Sequence, residues 1–465
     1  MNYGLASRKT GAERDVPACG GDGVLPRTAR SWCLRIRSTI ASANIAAIAA
    51  NVRNHAVISR AGGPLVLALA RALPRSLPRA LAATVPLALA ACATPQAPEV
   101  HASLSLAPPV EAPTDGDWWK SAGDPLLANL VERGLAADGD LACRAARLHQ
   151  QEESDAAASR RLAGKVRALV GKDEAPERDA ARSAWAYAYA QARADRASEV
   201  AQAYVQVRRL QQILVLRTER LDQFRDNAVI AEFRRQAGLV TAIDGGLGNS
   251  MAGVVDADVA STRARFDAAR AALAAMTGMD GDALLTALGE SAEIPAFPPG
   301  TAPAPDAPLH RADLMALRSR LESSLAHEKV TQEQLDAARA DPDGAAVPPS
   351  LREAIRKLDK TQADARAEMV SARQALAAFG PREAALADAA AQAKRAVTDA
   401  RAAYRAGFGD FATLYVTEAA ALAAEEARVS LHADRAAAVI RLHRLEGAGW
   451  SAADLEPPVG GAACD

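Results

Sequence analysis

Aromatic side chains are scarce: five Trp, six Tyr and seven Phe in 465 residues. A chain this poor in large rings suits a compact β-rich enzyme badly. Cysteine is sparse as well. Cys19, Cys33, Cys92, Cys143 and Cys464 are odd in number and far apart, with no Cys-x-x-Cys pair. That pattern gives no basis for a zinc site or a disulfide framework. Neither sign of charge dominates, since 55 Lys and Arg face 56 Asp and Glu. Nothing in that balance calls for a nucleic-acid partner. The apolar run Ala80 to Ala91 is too short to span a bilayer, which needs about 20 residues.

Catalytic constellations are missing too. His327-Glu328 has no second His at zincin spacing, and His432 and His443 have no carboxylate or Cys cluster beside them. Asp138-Gly139-Asp140 is far too short for a calcium loop. No nucleophile elbow, phosphate loop or catalytic carboxylate pair is present. The sequence therefore points to a protein that is not an enzyme and needs no cofactor or metal.

What remains is mostly Ala and Leu laced with charge, with 49% hydrophobic residues. Such composition suits long helices packed side by side. From Ala181 to about Phe224 the pattern predicts one long helix. Val200, Val207, Leu214 and Leu221 recur every seventh residue, with Tyr204, Leu210 and Phe224 between them, the repeat of coiled helices. The helix stops near Ala237-Gly238-Leu239-Val240, and a matching stop occurs at Tyr404-Arg405-Ala406-Gly407. Glycine ends helices by adopting the left-handed conformation. A second glycine, Gly278 or Gly447, follows 40 residues later in both cases. The chain thus reads as two helix–turn–helix halves related by an offset of 169 residues, from Gly238 to Gly407. Such a period is far longer than that of solenoid repeats. Gly245-Gly246-Leu247-Gly248-Asn249-Ser250 interrupts the returning helix of the first half and reads as a loop or a bent helix, because each interior glycine costs about 1 kcal/mol.

The N-terminal part reads as an address and an anchor. Arg71, Arg75 and Arg79 precede the apolar run to Ala91, and the run closes on Leu89-Ala90-Ala91-Cys92. This ending resembles a bacterial lipobox. The resemblance implies that Cys92 carries a diacylglyceryl group and becomes the mature N-terminus, with Ala93 directing the chain to the outer membrane. Two acyl chains anchor stably where one is marginal. About 70 residues precede the basic region, more than a signal peptide carries. A start downstream of Met1 is one reading, and a disordered extension the other. Pro95, Pro98, Pro108, Pro109 and Pro113 then mark an extended tether.

Beyond the tether, Asp117-Trp118-Trp119 leads into Gly123-Asp124-Pro125-Leu126-Leu127 and Leu130-Val131. Asp124 can cap a helix that Pro125 opens. The order resembles the opening of lipoprotein-type outer-membrane efflux proteins, the TolC and NodT group. Arg311-Ala312-Asp313-Leu314 resembles the start of that family's second repeat, and Tyr404 to Trp450 its final hairpin.

The resemblance implies a mainly α fold with long antiparallel, coiled-coil-like helical hairpins in two repeats. It implies a homotrimer with its body in the periplasm, a periplasmic membrane-fusion adaptor, an inner-membrane pump, and passive export through the channel. The hairpin tips, with Gly238, Leu239, Tyr404, Arg405, Gly407 and Asp410, would dock the adaptor. The expected divisions are an N-terminal extension and lipoprotein signal (1–91), a lipid-anchored tether (92–116), the first hairpin repeat (117–279), a Pro-rich linker (280–310), the second repeat (311–450) and a flexible tail (451–465).

Two departures from the family bear on function. Its members insert strands into the outer membrane, with aromatic girdles at both interfaces. The windows expected to hold such strands, about 150–184 and 336–370, contain no aromatic residue, and the second carries Asp341-Pro342-Asp343-Gly344 and Pro348-Pro349. Membrane strands are therefore expected to be reduced or absent. The alternative function is a periplasmic helical lipoprotein without a barrel, acting as a scaffold or adaptor-binding module. In addition, Val416 and Thr417 stand where the family places Asp-Ala near the pore aperture.

Overall fold

The computed structural model describes residue 106 and residues 116–160, 175–298 and 307–456. Leu89, Ala90, Ala91 and Cys92, and with them the expected signal and lipid anchor, lie outside the described residues. Ten α-helices occur among those described: α1 (Pro125–Ala136), α2 (Gly139–Arg160), α3 (Ala175–Gln236), α4 (Ala242–Thr277), α5 (Gly281–Leu288), α6 (Ala312–His327), α7 (Gln332–Ala340), α8 (Pro349–Ala377), α9 (Phe379–Ala406) and α10 (Phe411–Leu445). No strand occurs among the described residues. None of the described helices is long and apolar enough to cross a membrane.

The heptad pattern locates the main seam. Val200, Val207 and Leu221 are buried along α3, and Ala228 continues the seven-residue spacing. α3 packs against α4 on one side and α10 on the other, and α10 packs against α9. The long helices thus form an array in the order α4, α3, α10, α9. α9 buries only Ala390, Val397 and Tyr404, again seven residues apart. A single seam of this spacing marks a helix covered along one stripe.

The array is closed at its far end from the tips by a core around the tryptophan pair. Trp118 and Trp119 lie in a 3-10 turn, Trp118–Ala122, and both are buried. Trp118 stacks on His443 of α10 with ring centroids 5.1 Å apart. Asp124 caps α1 by accepting from the Leu126 and Leu127 amides at 2.9 and 3.1 Å. Its other oxygen accepts from the Tyr204 hydroxyl at 2.6 Å. Arg193 of α3 gathers the two ends of the described body. It donates to Gly449 O at 2.5 Å, pairs with Asp117 at 3.0 Å and Asp454 at 2.9 Å, and lies over the Trp119 ring.

Three expectations need correction. The glycine run at 245–250 is helix and not a loop: α4 is helical throughout. Gly248 is buried where α4 crosses close to α3, and a Cβ there would lie 3.2 Å from both Ala228 Cα and the Phe411 ring. The glycine's propensity cost is offset by the close approach it permits.

The 280–310 stretch is not linker throughout. Asp280 caps α5 by accepting from two amides at 3.0 Å, and Leu284, Leu288 and Phe297 join the main core. Residues 451–456 are ordered as well: Ser451 and Asp454 form a capping box around a 3-10 turn.

The window 336–370 is helix, turn and helix. Thr331 and Gln334 form a capping box that opens α7, and Pro349 stands at the first turn of α8. With α6, these helices build a second, separate core of Leu321, Leu325, Leu335, Val347, Leu351 and Ile355. In the window 150–184 the described residues, 150–160 and 175–184, are helical.

Candidate functional site

The two hairpin tips are built by one backbone device. At the first, the Gly238 amide donates to Arg235 O at 3.0 Å and the Leu239 amide to Arg234 O at 2.9 Å. At the second, the Gly407 amide donates to Tyr404 O at 3.1 Å and the Phe408 amide to Ala403 O at 2.9 Å. The glycines have φ of 71° and 83°. This is the Schellman ending, and its reverse turn of the last carbonyls requires a left-handed residue that glycine supplies without strain. Gly278 and Gly447, at the other end of each hairpin, also have positive φ, 59° and 82°. Thr241 and Asp410 occupy equivalent N-cap positions after the tips.

Asp410 accepts from the Thr413 amide at 2.7 Å. That bond, with a second from the Thr413 hydroxyl, holds its carboxyl below the usual range. On the last turn before the first tip, Glu232 accepts from Arg235 and Gln236, and these bonds hold its carboxyl down to about 2.

Leu239 and Arg405 are exposed at the tips. Tyr404 is not: it is turned into a small core with Ala231, Phe411 and Leu414, because it continues the Ala390–Val397 seam. Apolar groups are exposed nearby, Phe408 and Phe233 among them not singled out in the sequence. Phe408 is 91% exposed, Leu239 69%, Phe233 66% and Val416 62%. Between α3 and α4 lies a groove of about 380 Å³, lined by Arg225, Val229, Glu232, Phe233, Asn249 and Ala252. Phe233 precedes Gly238 by five residues and falls off the heptad seam, which is the signal that would have found it.

Behind the tips, polar side chains tie one hairpin to the other. Glu418 of α10 is fully buried, accepting from Arg401 of α9 at 2.7 Å and Asn227 of α3 at 3.0 Å. Arg401 also donates to Gln223 of α3. Arg234 donates to Tyr404 O at 2.6 Å and covers the Tyr404 ring. Arg217 of α3 holds Glu426 of α10 with two bonds, at 2.6 and 3.0 Å, and Thr262 of α4 at 2.8 Å. Burial pushes the nearby Arg220 guanidinium down from its ordinary range. The sequence gave no sign of the links from Glu418 to Asn227, from Arg234 to Tyr404 and from Arg217 to Glu426, whose partners lie far apart along the chain.

No protein-family model matches the sequence, and no curated protein is similar to it. Solved structures do match. The outer-membrane channel OprN is similar over 75% of this chain and 96% of its own, with 20% identity and a TM-score of 0.60. The outer-membrane protein VceC from Vibrio cholerae matches 72% of this chain and 99% of its own, at 19% identity and a TM-score of 0.58. The CmeC outer-membrane channel of Campylobacter jejuni matches 75% of this chain and 92% of its own, at 14% identity and a TM-score of 0.58. The chain therefore has the TolC-like helical fold of outer-membrane channels, built as long hairpins with no strand among the described residues.

Proposed function

We propose that this protein serves a tripartite export system as its outer-membrane channel component, a passive conduit. The observation that carries the reading is the pair of hairpins closed by the same glycine motif, in a fold that matches 96% of the OprN chain. In this reading the chain is held at the outer membrane by lipid on Cys92, its body in the periplasm. Copies assemble as a trimer. The edge helix α9, with one buried stripe, supports that assembly by leaving a flank for a neighbour. The exposed apolar groups at the tips, Leu239 and Phe408 foremost, supply a surface on which a periplasmic adaptor docks and transmits the action of an inner-membrane pump.

One observation favours a second reading. The window 336–370 forms helices where a pore-forming relative needs membrane strands. Only closed barrels and apolar helices satisfy the backbone in lipid. A chain that supplies neither would act as an adaptor-binding periplasmic scaffold. Planar-bilayer recording of the full, lipidated protein separates the two. Steady single-channel steps support the conduit. Electrical silence, with adaptor binding retained in a pull-down and lost in Phe408→Asp, supports the scaffold. Silence together with no adaptor binding refutes both.

A further inference from the structure

Far from the tips, α3 and α6 pack together and leave a groove of about 370 Å³, within the span of small-molecule sites, about 300–1,000 Å³. Each helix contributes residues at i, i+3 and i+4, which share one face: Ala181, Ala184 and Trp185 from α3, Arg320, Ser323 and Ser324 from α6. The alanines and serines are small, so the packed helices leave room between them. Trp185 is 51% exposed, and its indole makes no ring contact or hydrogen bond among the described residues. Arg320 is exposed and forms no ion pair among the described residues. Neighbouring carboxylates are engaged elsewhere: Glu322 holds Arg318 at 2.9 Å, and Glu177 meets the His327 ring at 3.2 Å. The Ser323 hydroxyl donates to Glu177 O at 3.1 Å and the Ser324 hydroxyl to Arg320 O at 3.0 Å. Both hydroxyl hydrogens are therefore committed, and both serine oxygens are left to accept.

We propose that this groove binds an acidic saccharide unit of a cell-envelope glycan. The lining asks for a flat apolar face against the indole, an anionic group for Arg320, and hydroxyl or amide donors for the two serine oxygens. A sugar acid supplies all three on one ring. Its C–H face covers the indole, its carboxylate accepts from the guanidinium, and its hydroxyls donate to the serines. A purely apolar ligand would strip water from Arg320 and both serine oxygens without replacing it. Inorganic phosphate would leave the indole face unused. Two envelope glycans carry the chemistry: the lactyl-bearing sugars of peptidoglycan and the acidic core sugars of lipopolysaccharide. This choice of sources rests on the reading of the body as periplasmic, whereas the chemistry of the groove does not. Trp185 precedes Gly238 by 53 residues on α3, roughly 80 Å at about 1.5 Å per residue. A glycan held there grips the body at the end opposite the tips and leaves them free.

Calorimetric titration of the full chain with an oligogalacturonate, against a neutral maltooligosaccharide of equal length, tests the site. The acidic oligomer is expected to bind, and the neutral one roughly tenfold more weakly or not at all. Trp185→Ala and Arg320→Gln should each weaken the acidic oligomer by roughly tenfold, while Trp185→Phe, which keeps an aromatic face, loses less. No binding, equal affinity for the two oligomers, or unaltered affinity in both weakening variants overturns the proposal. Arg320 is exposed, so Arg320→Gln remains a valid test should Trp185→Ala fail to fold. Co-sedimentation with purified peptidoglycan sacculi and capture on immobilised lipopolysaccharide then identify the source. Retention by either, lost in Trp185→Ala, supports the proposal, and retention by neither overturns it. A pull-down with the adaptor, run in parallel, reports on the channel reading alone. Saccharide binding without adaptor binding leaves the groove assigned and refutes docking at the tips.

Discussion

Two glycines two residues apart on α4 should respond to the same substitution with opposite signs. Gly246 faces open space, with no atom within 4 Å of a Cβ placed on it. Replacing it by Ala gains helix propensity and loses nothing, so Gly246→Ala is expected to stabilise by about 0.5–1 kcal/mol. Gly248 gains the same propensity, but its added Cβ would meet Ala228 Cα and the Phe411 ring at 3.2 Å. The first is backbone of α3 and the second is a buried ring, so neither yields freely. Overpacking of this kind costs about 1–3 kcal/mol. Propensity cancels between the two variants, and the difference between them isolates the steric cost. Urea titration followed by far-UV circular dichroism reads it as a midpoint that rises for Gly246→Ala and falls or stays level for Gly248→Ala, at unchanged slope. A Gly248→Ala midpoint that rises as far as that of Gly246→Ala would refute the claim that close helix approach explains this glycine.

Three further outcomes follow from the polar contacts. Arg401→Met leaves the fully buried Glu418 without its ion partner, whereas Glu418→Gln leaves Arg401, 28% exposed, able to reach water. The first should therefore cost about 3–5 kcal/mol and the second clearly less, measured as paired denaturation midpoints. Arg193→Ala removes the bonds that hold Asp117, Gly449 and Asp454; it should cost about 2–4 kcal/mol and speed proteolytic cleavage near residues 451–456. Asp410 titrates below the usual carboxylate range because it caps α10 as a carboxylate. Its contribution is complete above the unfolded carboxylate pKa and is lost as pH falls through the lower folded value. Exchange at the Thr413 amide should therefore accelerate only on acidification through that window, and an Asp410→Asn variant should show a flatter pH profile.

Much of the fold was legible because it rests on strict local requirements. A Schellman ending needs a left-handed residue, so Gly238, Gly278, Gly407 and Gly447 announced the helix ends. Asp124-Pro125 announced a capped helix start for the same kind of reason. Where tertiary contact decides, the pattern misled. Gly248 costs propensity yet sits mid-helix, because α3 and α4 need the space. Tyr404 was read from its position near the turn, although the spacing Ala390, Val397, Tyr404 already placed it on the buried stripe. The stretch after Gly278 was read from its prolines, whereas Asp280 and the leucines of α5 make its first part helical. The links through Glu418, Arg234 and Arg217 were not readable at all. The bonds from Glu418 to Asn227, from Arg234 to Tyr404 and from Arg217 to Glu426 each join residues at least 170 positions apart on different helices, and no local rule connects them.

The duplication also brings out a break confined to the second repeat. In the first half, α3 runs without interruption for 62 residues. The counterpart in the second half, 169 residues on, is divided between α8 and α9 at Ala378. Pro381 stands there, where the first half has Gln212. Proline offers no N–H to the carbonyl four residues back and crowds it, yet it is tolerated within the first turn of a new helix. Ala378 keeps helical angles, φ −71° and ψ −13°, so the break arises from the missing bond more than from a turn of the chain. Pro381→Gln should therefore join α8 to α9, slow exchange of the amides at 379–382 toward that of residues 210–213, and raise the denaturation midpoint. Unchanged exchange there would place the cause elsewhere, with Gly380, which meets no atom within 4 Å of a Cβ, as the residue to replace next.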